Sequence, residues 1–291
     1  MRYYRLSDET GPSRLIARTD DTAYDLTSAS ADLGTFTDLA RAASLSDQSV
    51  DDIARLHIPE ATELGVEKAV TDATRPVAPD EVWAVGGTYD HVEDEEAFRE
   101  EYDHADLTLM VYDPDNPPEL FFKGTARRTV GPGEAVGIRS DVEYNVAEPE
   151  LALVLHRGEI VGYTVGNDMS ASGLLRRNPL YLSATKIFSR CCSIGPAIAS
   201  VESIPDPHDL EIRMTVERDG EVIFEDAEST GEMLRAVEDL PSHITDHDDV
   251  AELTVLLTGG PFAPADTLQE GDRLAMEIDG IGRLENPVTS V

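Results

Sequence analysis

Two apolar, β-rich runs joined by a short polar turn constrain the fold of this chain more than any other feature. Residues 151–155 and 160–165 form the two runs, and the sequence His-Arg-Gly-Glu separates them. A glycine in so short a polar connection is typical of a tight turn between paired strands. The pattern predicts an antiparallel β-hairpin, and the residues at its open end can be placed relative to it.

Three carboxylates lie at the open end of this predicted hairpin. Glu148 and Glu150 are two residues apart where the first strand begins, so their side chains point to the same face. With the turn centred between the two runs, Glu148 lies opposite Asn167, and Asp168 is one residue out of line. A β-bulge at Gly166 would bring Asp168 fully alongside Glu148. The sequence therefore predicts that the three carboxylates converge.

The converging carboxylates indicate a site for a divalent cation. Carboxylates held close together repel one another, and each resists ionisation unless a cation lies between them. Oxygen ligands favour Mg²⁺, Mn²⁺ or Ca²⁺ over zinc, which prefers His and Cys. The alternative is a solvated acidic face, which is how we interpret the acidic runs at residues 93–96 and 246–249. Glu148 and Glu150 differ from those runs because they open an apolar strand, and this favours the metal site.

The charge balance excludes two classes of partner. Asp and Glu number 58 against 23 Lys and Arg, which gives a net charge of −35, and the excess is spread along the chain. Such a field repels nucleic acids and anionic membrane surfaces. The first residues lack the apolar core of a signal peptide, and no stretch is apolar enough to span a membrane. We therefore expect a cytoplasmic protein with no nucleic-acid or membrane partner.

The dispersed carboxylates and the scarcity of lysine resemble the composition of halophilic proteins, in which salt screens the self-repulsion of the surface. We therefore expect the melting temperature to fall when salt is removed. Thermal unfolding at molar and at low salt concentration measures this effect. An unchanged melting temperature would contradict the expectation.

The residue pattern changes near Asp72, which predicts two domains. Residues 1–72 combine short alternating runs with helical spacing and are interpreted as a small N-terminal α/β domain. Residues 73–291 are β-rich and form the second domain, so the predicted fold class is α+β. Within this second domain, residues 233–244 are predicted to be helical.

Two further segments have more than one interpretation. Residues 93–109 are charged and helix-compatible, and they form either a movable cover hinged at residues 86–87 or an ordinary solvated helix. Cys191 and Cys192 are adjacent, and neighbouring residues rarely reach good disulfide geometry. No CxxC motif or suitably spaced histidine accompanies them, so two buried thiols are expected rather than a zinc site.

The order of several short motifs resembles the fumarylacetoacetate hydrolase superfamily. The similarity runs from about residue 80 to the end of the chain, through Glu148-x-Glu150, Gly162-Tyr163-Thr164, Asn167-Asp168-x-Ser170-Ala171, Lys186, Gly195-Pro196 and Thr258-Gly259. A closer resemblance is to the archaeal 2-keto-3-deoxy-D-arabinonate dehydratases of that superfamily. Residues 118–123, 139–141, 148–152, 178–182 and 191–192 carry it.

The resemblance implies a fold, a cofactor and a set of site residues. It implies a catalytic domain of mixed β-sandwich or roll type, a bound Mg²⁺, and assembly into homodimers or homotetramers. Carried over position by position, Glu148, Glu150 and Asp168 are the metal ligands, and Glu119 and Lys186 are the catalytic residues. Contacts to a 2-keto acid substrate are expected from Tyr89, Lys123, Arg176, Thr258 and Gly259.

One position departs from the family pattern. Where the family usually has Ser-Ala-Arg-Asp after the metal-binding Asp, this chain has Ser-Ala followed by Ser172 and Gly173. A substrate-contacting arginine is absent there, so either Arg176 or Arg177 replaces it or the substrate differs. From its pattern alone, Lys186 is equally compatible with an anionic substrate and with a structural ion pair.

The reaction implied by the resemblance is dehydration of 2-keto-3-deoxy-D-arabinonate or 2-keto-3-deoxy-D-xylonate to 2,5-dioxopentanoate, within oxidative pentose breakdown. Chelation of the keto acid by Mg²⁺ would stabilise the enolate formed when a base removes a C3 proton, and the C4 hydroxyl would then leave. Glu119 suits the proton shuttle if burial raises its pKa. Lys186 would hold a carboxylate or protonate the departing hydroxyl.

Two alternative functions stay open on the sequence. Acylpyruvate hydrolases and oxaloacetate decarboxylases of the same superfamily keep the metal and the enolate but break a carbon–carbon bond. For hydrolysis, His91 with Glu93 and Glu95 is a candidate for activating water, although a histidine in an acidic loop is more often just solvated. The other alternative is a module that binds metal or ligand without turnover, which the departure at residues 172–173 keeps open.

Overall fold

The strands of the chain form two β-sheets of unequal size. The computed structural model describes residues 1–7, 13–89 and 105–291. The strands within these ranges are β1 Arg2–Leu6, β2 Arg14–Arg18, β3 Ala23–Asp25, β4 Thr62–Leu64, β5 Ala73–Thr74, β6 Glu81–Gly86, β7 Glu119–Gly124, β8 Thr129–Val130, β9 Val136–Ile138, β10 Val146–His156, β11 Glu159–Ser170, β12 Cys192–Ser200, β13 Glu211–Arg218, β14 Glu221–Ser229, β15 Leu253–Leu257, β16 Arg273–Ile278 and β17 Gly282–Ser290. The helices are α1 Leu26–Ala29, α2 Phe36–Ser46, α3 Val50–His57, α4 Val66–Thr71, α5 Ala105–Tyr112, α6 Ser172–Leu175, α7 Leu182–Lys186 and α8 Ser242–Thr245.

Both sheets contain antiparallel and parallel neighbours. The larger sheet has the strand order β4-β3-β2-β1-β12-β11-β10-β15-β6-β7, with β5 beside β1 and β8 beside β12. The smaller sheet has the order β14-β13-β16-β17-β9. The pairs β6–β15, β8–β12 and β9–β17 are parallel. This strand-rich architecture of mixed sheets confirms the predicted α+β fold class.

The β10–β11 hairpin lies near the middle of the larger sheet, and both of its faces are buried. On one face, Leu153 belongs to a core cluster with Met214 and Met276 of the smaller sheet. On the other face, Val154 belongs to a cluster with Leu39 of α2. Alternating side chains thus enter two different cores, which explains why the sequence of the hairpin is continuously apolar.

The register of the hairpin is the expected one at its open end, but the bulge that produces it lies elsewhere. Glu148 pairs directly with Asp168. The pairing shifts by one residue at Val161, close to the turn, and is regular from there through Gly166. A bulge at Gly166 was therefore the wrong prediction. Gly166 serves close packing instead, because a Cβ atom there would lie 2.5 Å from the side chain of Leu257.

The first 72 residues share a sheet with the rest of the chain. Strand β1 pairs with β12, so β1–β4 extend the larger sheet. Thr35 and Ser49 cap the N-termini of α2 and α3 by accepting hydrogen bonds from backbone N–H groups. A domain boundary near Asp72 stays a prediction.

The helix predicted over residues 233–244 is wrong. Val237–Asp239 forms a 3₁₀ turn, and α8 begins only at Ser242. The backbone N–H of Leu234 donates to the carbonyl of Thr88 at 2.8 Å. This contact between distant parts of the chain holds the preceding residues extended and overrides their local helical pattern.

Three smaller expectations have different outcomes. Cys191 and Cys192 are buried and free, as predicted. Part of the segment 93–109 lies outside the described residues, and only its last part is seen, as the beginning of α5. Across the described ranges, we find no helix with the length and apolar character needed to cross a bilayer.

Candidate metal-dependent active site

Three carboxylates converge where β10 and β11 meet in register. Glu148 and Asp168 are direct partners across the two strands, and Glu150 follows on the same face of β10. One oxygen from each of the three carboxylates lies within 4.8 Å of the others. Glu150 and Asp168 are buried, whereas the side chain of Glu148 retains 23% of its exposure. The hairpin itself therefore builds the acidic cluster.

Two lysines contact this cluster from opposite sides of Asp168. The Nζ atom of Lys186, at the end of α7, lies 2.8 Å from Glu148 Oε2, 2.7 Å from Asp168 Oδ2 and 2.6 Å from Ser170 Oγ. Lys123, on β7, is fully buried and forms an ion pair with Asp168 Oδ1. The two ammonium groups thus bracket one carboxylate, and Lys186 also neutralises Glu148.

Burial and charge act in different directions on these groups. Burial, followed by repulsion from Asp168 and Glu148, raises the pKa of Glu150 well above its usual value. Burial alone would raise the pKa of Asp168, but the ammonium groups of Lys123 and Lys186 outweigh it and lower that pKa. Burial would lower the pKa of Lys186, but Asp168 and Glu148 outweigh it and raise that pKa. Glu150 is therefore the carboxylate whose charge the lysines leave least compensated.

A divalent cation fits this donor set. Two oxygen ligands on opposite sides of one ion lie about 4–5 Å apart when each metal–oxygen bond is about 2.0–2.6 Å long, which matches the observed spread. Three carboxylates against two ammonium groups leave one negative charge in a buried site, and a cation would stabilise it. Glu148, Glu150 and Asp168 are the residues that would hold the ion.

A glycine turn orients the third carboxylate. The backbone N–H of Gly259 donates to Glu150 Oε2 at 2.7 Å. Gly259 has a φ of +90°, and the hydroxyl of Thr88 donates to the carbonyl of Thr258 at 2.6 Å beside it. The turn that follows β15 therefore fixes Glu150 by a backbone contact that only a glycine conformation provides.

A cavity of about 460 Å³ opens beside the carboxylates. Glu119, Lys186 and Gly259 line it together with the three acidic residues. Glu119 begins β7 and pairs with Gly86 of β6. Burial raises the pKa of Glu119, although the nearby Lys186 acts against this. An acid–base group and an ammonium group thus face the same space as the carboxylate cluster.

A second cavity of about 460 Å³ adjoins the first and shares Glu119 and Tyr112 with it. Arg176 lines this outer cavity, and its guanidinium carbon lies 3.8 Å from the ring centroid of Tyr144. Ser172 lines the same cavity. Of the two arginines considered from the sequence, Arg176 is the one that the structure brings to this space.

The comparisons with known proteins agree with this geometry. The family model for the fumarylacetoacetate (FAA) hydrolase C-terminal domain matches residues 82–289. The chain belongs to the fumarylacetoacetate hydrolase family. The resemblance seen in the motifs is thereby confirmed, and the matched range includes all three carboxylates and both lysines of the site.

Individual relatives within the family are dehydratases. A probable 2-keto-3-deoxyxylonate dehydratase of Haloferax volcanii is 50% identical over 295 residues, which cover 100% of both chains. The 2-dehydro-3-deoxy-D-arabinonate dehydratase of Saccharolobus solfataricus is 38% identical over 226 residues and 74% of each chain. A solved 2-keto-3-deoxy-D-arabinonate dehydratase, complexed with magnesium and 2,5-dioxopentanoate, gives a TM-score of 0.81 at 28% identity over 100% of this chain and 99% of that one.

Three of the expected substrate contacts lie away from both cavities in the part of the chain that the structure describes. Lys123 is fully buried, and its Nζ donates to the carbonyls of Met169 and Lys186 at 2.7 and 2.6 Å. Thr258 is buried, and its hydroxyl donates to a backbone carbonyl. Tyr89 is buried and follows Thr88, which lines the inner cavity. Gly259 and Arg176, by contrast, line the inner and the outer cavity, and the substrate contacts of all five residues stay predictions.

Two further sets of residues concern the site: one was predicted but lies outside the described residues, and the other was not predicted. His91, Glu93 and Glu95, the candidates for a hydrolytic water, lie outside the described residues. The apolar side of the outer cavity, which includes Val111 and Tyr112 of α5, was not predicted. The only signal for it was a short apolar run far along the chain from the carboxylates, and such a run also fits an ordinary core helix.

Replacing Gly259 with alanine is expected to lower the free energy of unfolding by about 1–3 kcal/mol and to weaken metal binding. A Cβ atom there would lie 2.0 Å from Thr88 Oγ1 and 2.9 Å from the carbonyl of Val85, so the turn that holds Glu150 must move. Gly271→Ala is the matched control, because Gly271 has a φ of +96° and open space around it. Urea unfolding and Mg²⁺ titration measure both effects, and equal losses in the two variants would contradict the argument.

Proposed function

We propose that the protein is a Mg²⁺-dependent hydro-lyase that converts a 2-keto-3-deoxypentonate to 2,5-dioxopentanoate. The observation that carries the proposal is that Glu119 and Lys186 line one cavity together with the acidic cluster. Chain-long similarity to dehydratases of this type supports the choice of substrate. Mn²⁺ and Ca²⁺ are the alternative cations for an all-oxygen donor set.

The balance of charge supports a singly charged 2-keto acid as the substrate. The three carboxylates and two lysines leave one net negative charge, so a bound divalent cation would turn the site into one with a single positive charge. A substrate carboxylate would then make the assembled complex neutral in a buried setting. Glu119 lies outside this count, and burial raises its pKa, which suits a group that exchanges a proton during the reaction.

Glu119 and Lys186 have complementary proton-transfer roles in the proposed reaction. A divalent cation, when bound, would polarise the keto group of the substrate and make the C3 proton more acidic. Glu119 removes that proton, and the ammonium group of Lys186 donates a proton to the departing C4 hydroxyl, so that water leaves. One of the two protons on C5 then moves to C3 and the proton of the C5 hydroxyl moves to C4, which leaves an aldehyde at C5 with its one remaining hydrogen.

The proposal is tested by product analysis with the purified protein at high salt and with Mg²⁺. We expect 2,5-dioxopentanoate from 2-keto-3-deoxy-D-xylonate or 2-keto-3-deoxy-D-arabinonate. Pyruvate released from acylpyruvates, or carbon dioxide from oxaloacetate, with no dehydration would instead favour the carbon–carbon bond-breaking members of the family. Mg²⁺ binding without turnover of any of these compounds would favour a non-catalytic module.

We further propose that the protein works in the cytoplasm, in high salt, as a homodimer or homotetramer. The acidic composition supports adaptation to salt, and two buried free thiols are compatible with a reducing compartment. Leu45 and Leu56 are large apolar side chains that are 79% and 67% exposed on α2 and α3, as expected of a surface covered by another subunit. Sedimentation in molar salt measures the oligomeric state.

A further inference from the structure

One guanidinium group far from the carboxylates gathers four backbone carbonyls. Nη1 of Arg235 donates to the carbonyl of Pro114 at 3.1 Å. Its Nη2 donates to Val111, Asp113 and Asn116 at 3.2, 3.1 and 2.8 Å. All four acceptors belong to the last turn of α5 and the turn that follows it. A single side chain therefore holds this stretch of backbone in one conformation.

Helix α5, whose end Arg235 holds, supplies one wall of the outer cavity, and we define this outer wall as Leu107, Val111 and Tyr112. All three residues line the outer cavity, and Tyr112 also lines the inner one. The carbonyls of the last helical turn have no partner within the helix and carry partial negative charge, which a cation stabilises. Glu119 lies only three residues beyond the last of the gathered carbonyls.

The residues beside Arg235 hold the neighbouring loop as well. The backbone N–H of Leu234 donates to the carbonyl of Thr88, and Met233 forms a β-bridge with Tyr89. Gly87, in the same loop, packs against the outer wall so closely that a Cβ atom would lie 2.5 Å from Val111 Cγ1. The loop after β6 and the end of α5 are thus fixed to one short segment, residues 233–235.

We propose that Arg235 is a positioning residue that fixes the outer wall against the far end of a five-carbon 2-keto acid. Arg235 lines neither the inner nor the outer cavity and does not contact the carboxylates, so it would act on the substrate through α5. This inference rests on the proposed function, because it assigns the outer cavity to the C5 end of the substrate, beyond the C4 hydroxyl that Lys186 reaches from the inner cavity. Lysine cannot replace it, since its three donors sit on a single nitrogen, whereas the four carbonyls are divided between Nη1 and Nη2 of the guanidinium group.

The test compares Arg235→Lys with Arg283→Lys, which is a matched control on exposed β17, where Arg283 pairs with Glu277 and Glu285. Binding of 2-oxopentanoate, a five-carbon keto acid with no hydroxyl to lose, is measured by calorimetry with Mg²⁺, and pyruvate is measured in parallel. In Arg235→Lys we expect about tenfold weaker binding of 2-oxopentanoate, because the wall must be ordered on binding. Pyruvate ends at C3 and has no C4 or C5 to place against Leu107 and Val111 in the outer cavity, so its affinity and that of Mg²⁺ should stay within about twofold.

Hydrogen–deuterium exchange of residues 105–116 gives a second readout that needs no ligand. We expect faster exchange there in Arg235→Lys than in the wild type or in Arg283→Lys. Unchanged exchange would overturn the inference, and so would equal losses for 2-oxopentanoate and pyruvate. If the wild-type protein binds neither keto acid, the proposed function is contradicted, and exchange still decides whether Arg235 holds the wall.

Discussion

Replacing Glu119 with glutamine is expected to lower kcat for dehydration about 10²–10⁴-fold and to leave Mg²⁺ affinity within about twofold of the wild type. Glutamine keeps the shape of the side chain and cannot accept a proton. Glu119 lines the cavity from β7, whereas the carboxylates that would hold the metal lie on β10 and β11. The loss should therefore fall on the chemical step, and steady-state kinetics with Mg²⁺ titration separate the two quantities.

Two companion variants make this prediction specific. Glu225→Gln, at an exposed position on β14, should leave both quantities unchanged. Glu150→Gln should show the opposite pattern, in which Mg²⁺ affinity falls first, because its carboxylate belongs to the converging cluster. If Glu119→Gln retained wild-type kcat, another group would have to move the C3 proton. Full activity of Glu150→Gln at ordinary Mg²⁺ would remove Glu150 from the ligand set.

The pH profile of kcat/KM should also identify Glu119 as the base. Burial raises the pKa of Glu119 above its usual value of 4.5. A base must be ionised to accept a proton, so the rate should decline as the pH falls through this raised pKa, at a pH higher than that of an ordinary glutamate. The residual activity of Glu119→Gln should lack this decline. A wild-type rate that is flat down to the normal glutamate range would contradict a buried base at this position.

The acidic cluster could be predicted because its geometry is local to one hairpin. Strand alternation fixes the shared face of Glu148 and Glu150, and the turn fixes which residues lie opposite them. The position of the bulge was predicted wrongly, because the sequence marks Gly166 as a residue without a Cβ atom but does not show whether that serves a bulge or close packing against Leu257. The pairing of Glu148 with Asp168 was expected from a one-residue bulge, and the bulge that produces it lies at Val161.

The supporting parts of the site could not be predicted, because they depend on contacts between distant segments. A local helical pattern over residues 233–244 gave no sign that Leu234 would pair with Thr88 and that Arg235 would hold the end of α5. The backbone contact from Gly259 to Glu150 joins residues more than a hundred positions apart. Long-range contacts of this kind leave no periodic pattern in the sequence.

The pairing of Lys123 with Asp168 could not be predicted from the sequence around Lys123. The chain has three lysines, and two of them meet at Asp168. The scarcity of lysine in the sequence did not indicate which two of the three lysines would lie together, and only the fold shows that they are Lys123 and Lys186. Lys123 is fully buried and pairs with Asp168 in the core, and its contact with the substrate stays a prediction.

Replacing Lys123 with methionine is expected to lower the free energy of unfolding by about 3–5 kcal/mol without metal, because it leaves Asp168 buried with one less partner. The carbonyls of Met169 and Lys186, which accept from Nζ at 2.7 and 2.6 Å, also lose their donor. Urea unfolding in high salt with a chelator measures the loss. Lys68→Met is the matched control, since Lys68 is exposed and pairs with Asp72, and it should cost less than about 1 kcal/mol.

Magnesium should reduce the difference in stability between Lys123→Met and the wild type. Removing Lys123 makes the buried site more negative, so a bound cation supplies part of the missing compensation, and binding to the folded state alone raises its stability. The carbonyls of Met169 and Lys186 still lack a donor, so recovery should be partial. Equal stabilisation of both proteins by Mg²⁺, measured over the same titration, would show that Lys123 and the cation act on separate charges. A loss no larger than that of Lys68→Met would show that the burial of Lys123 carries no stabilising role.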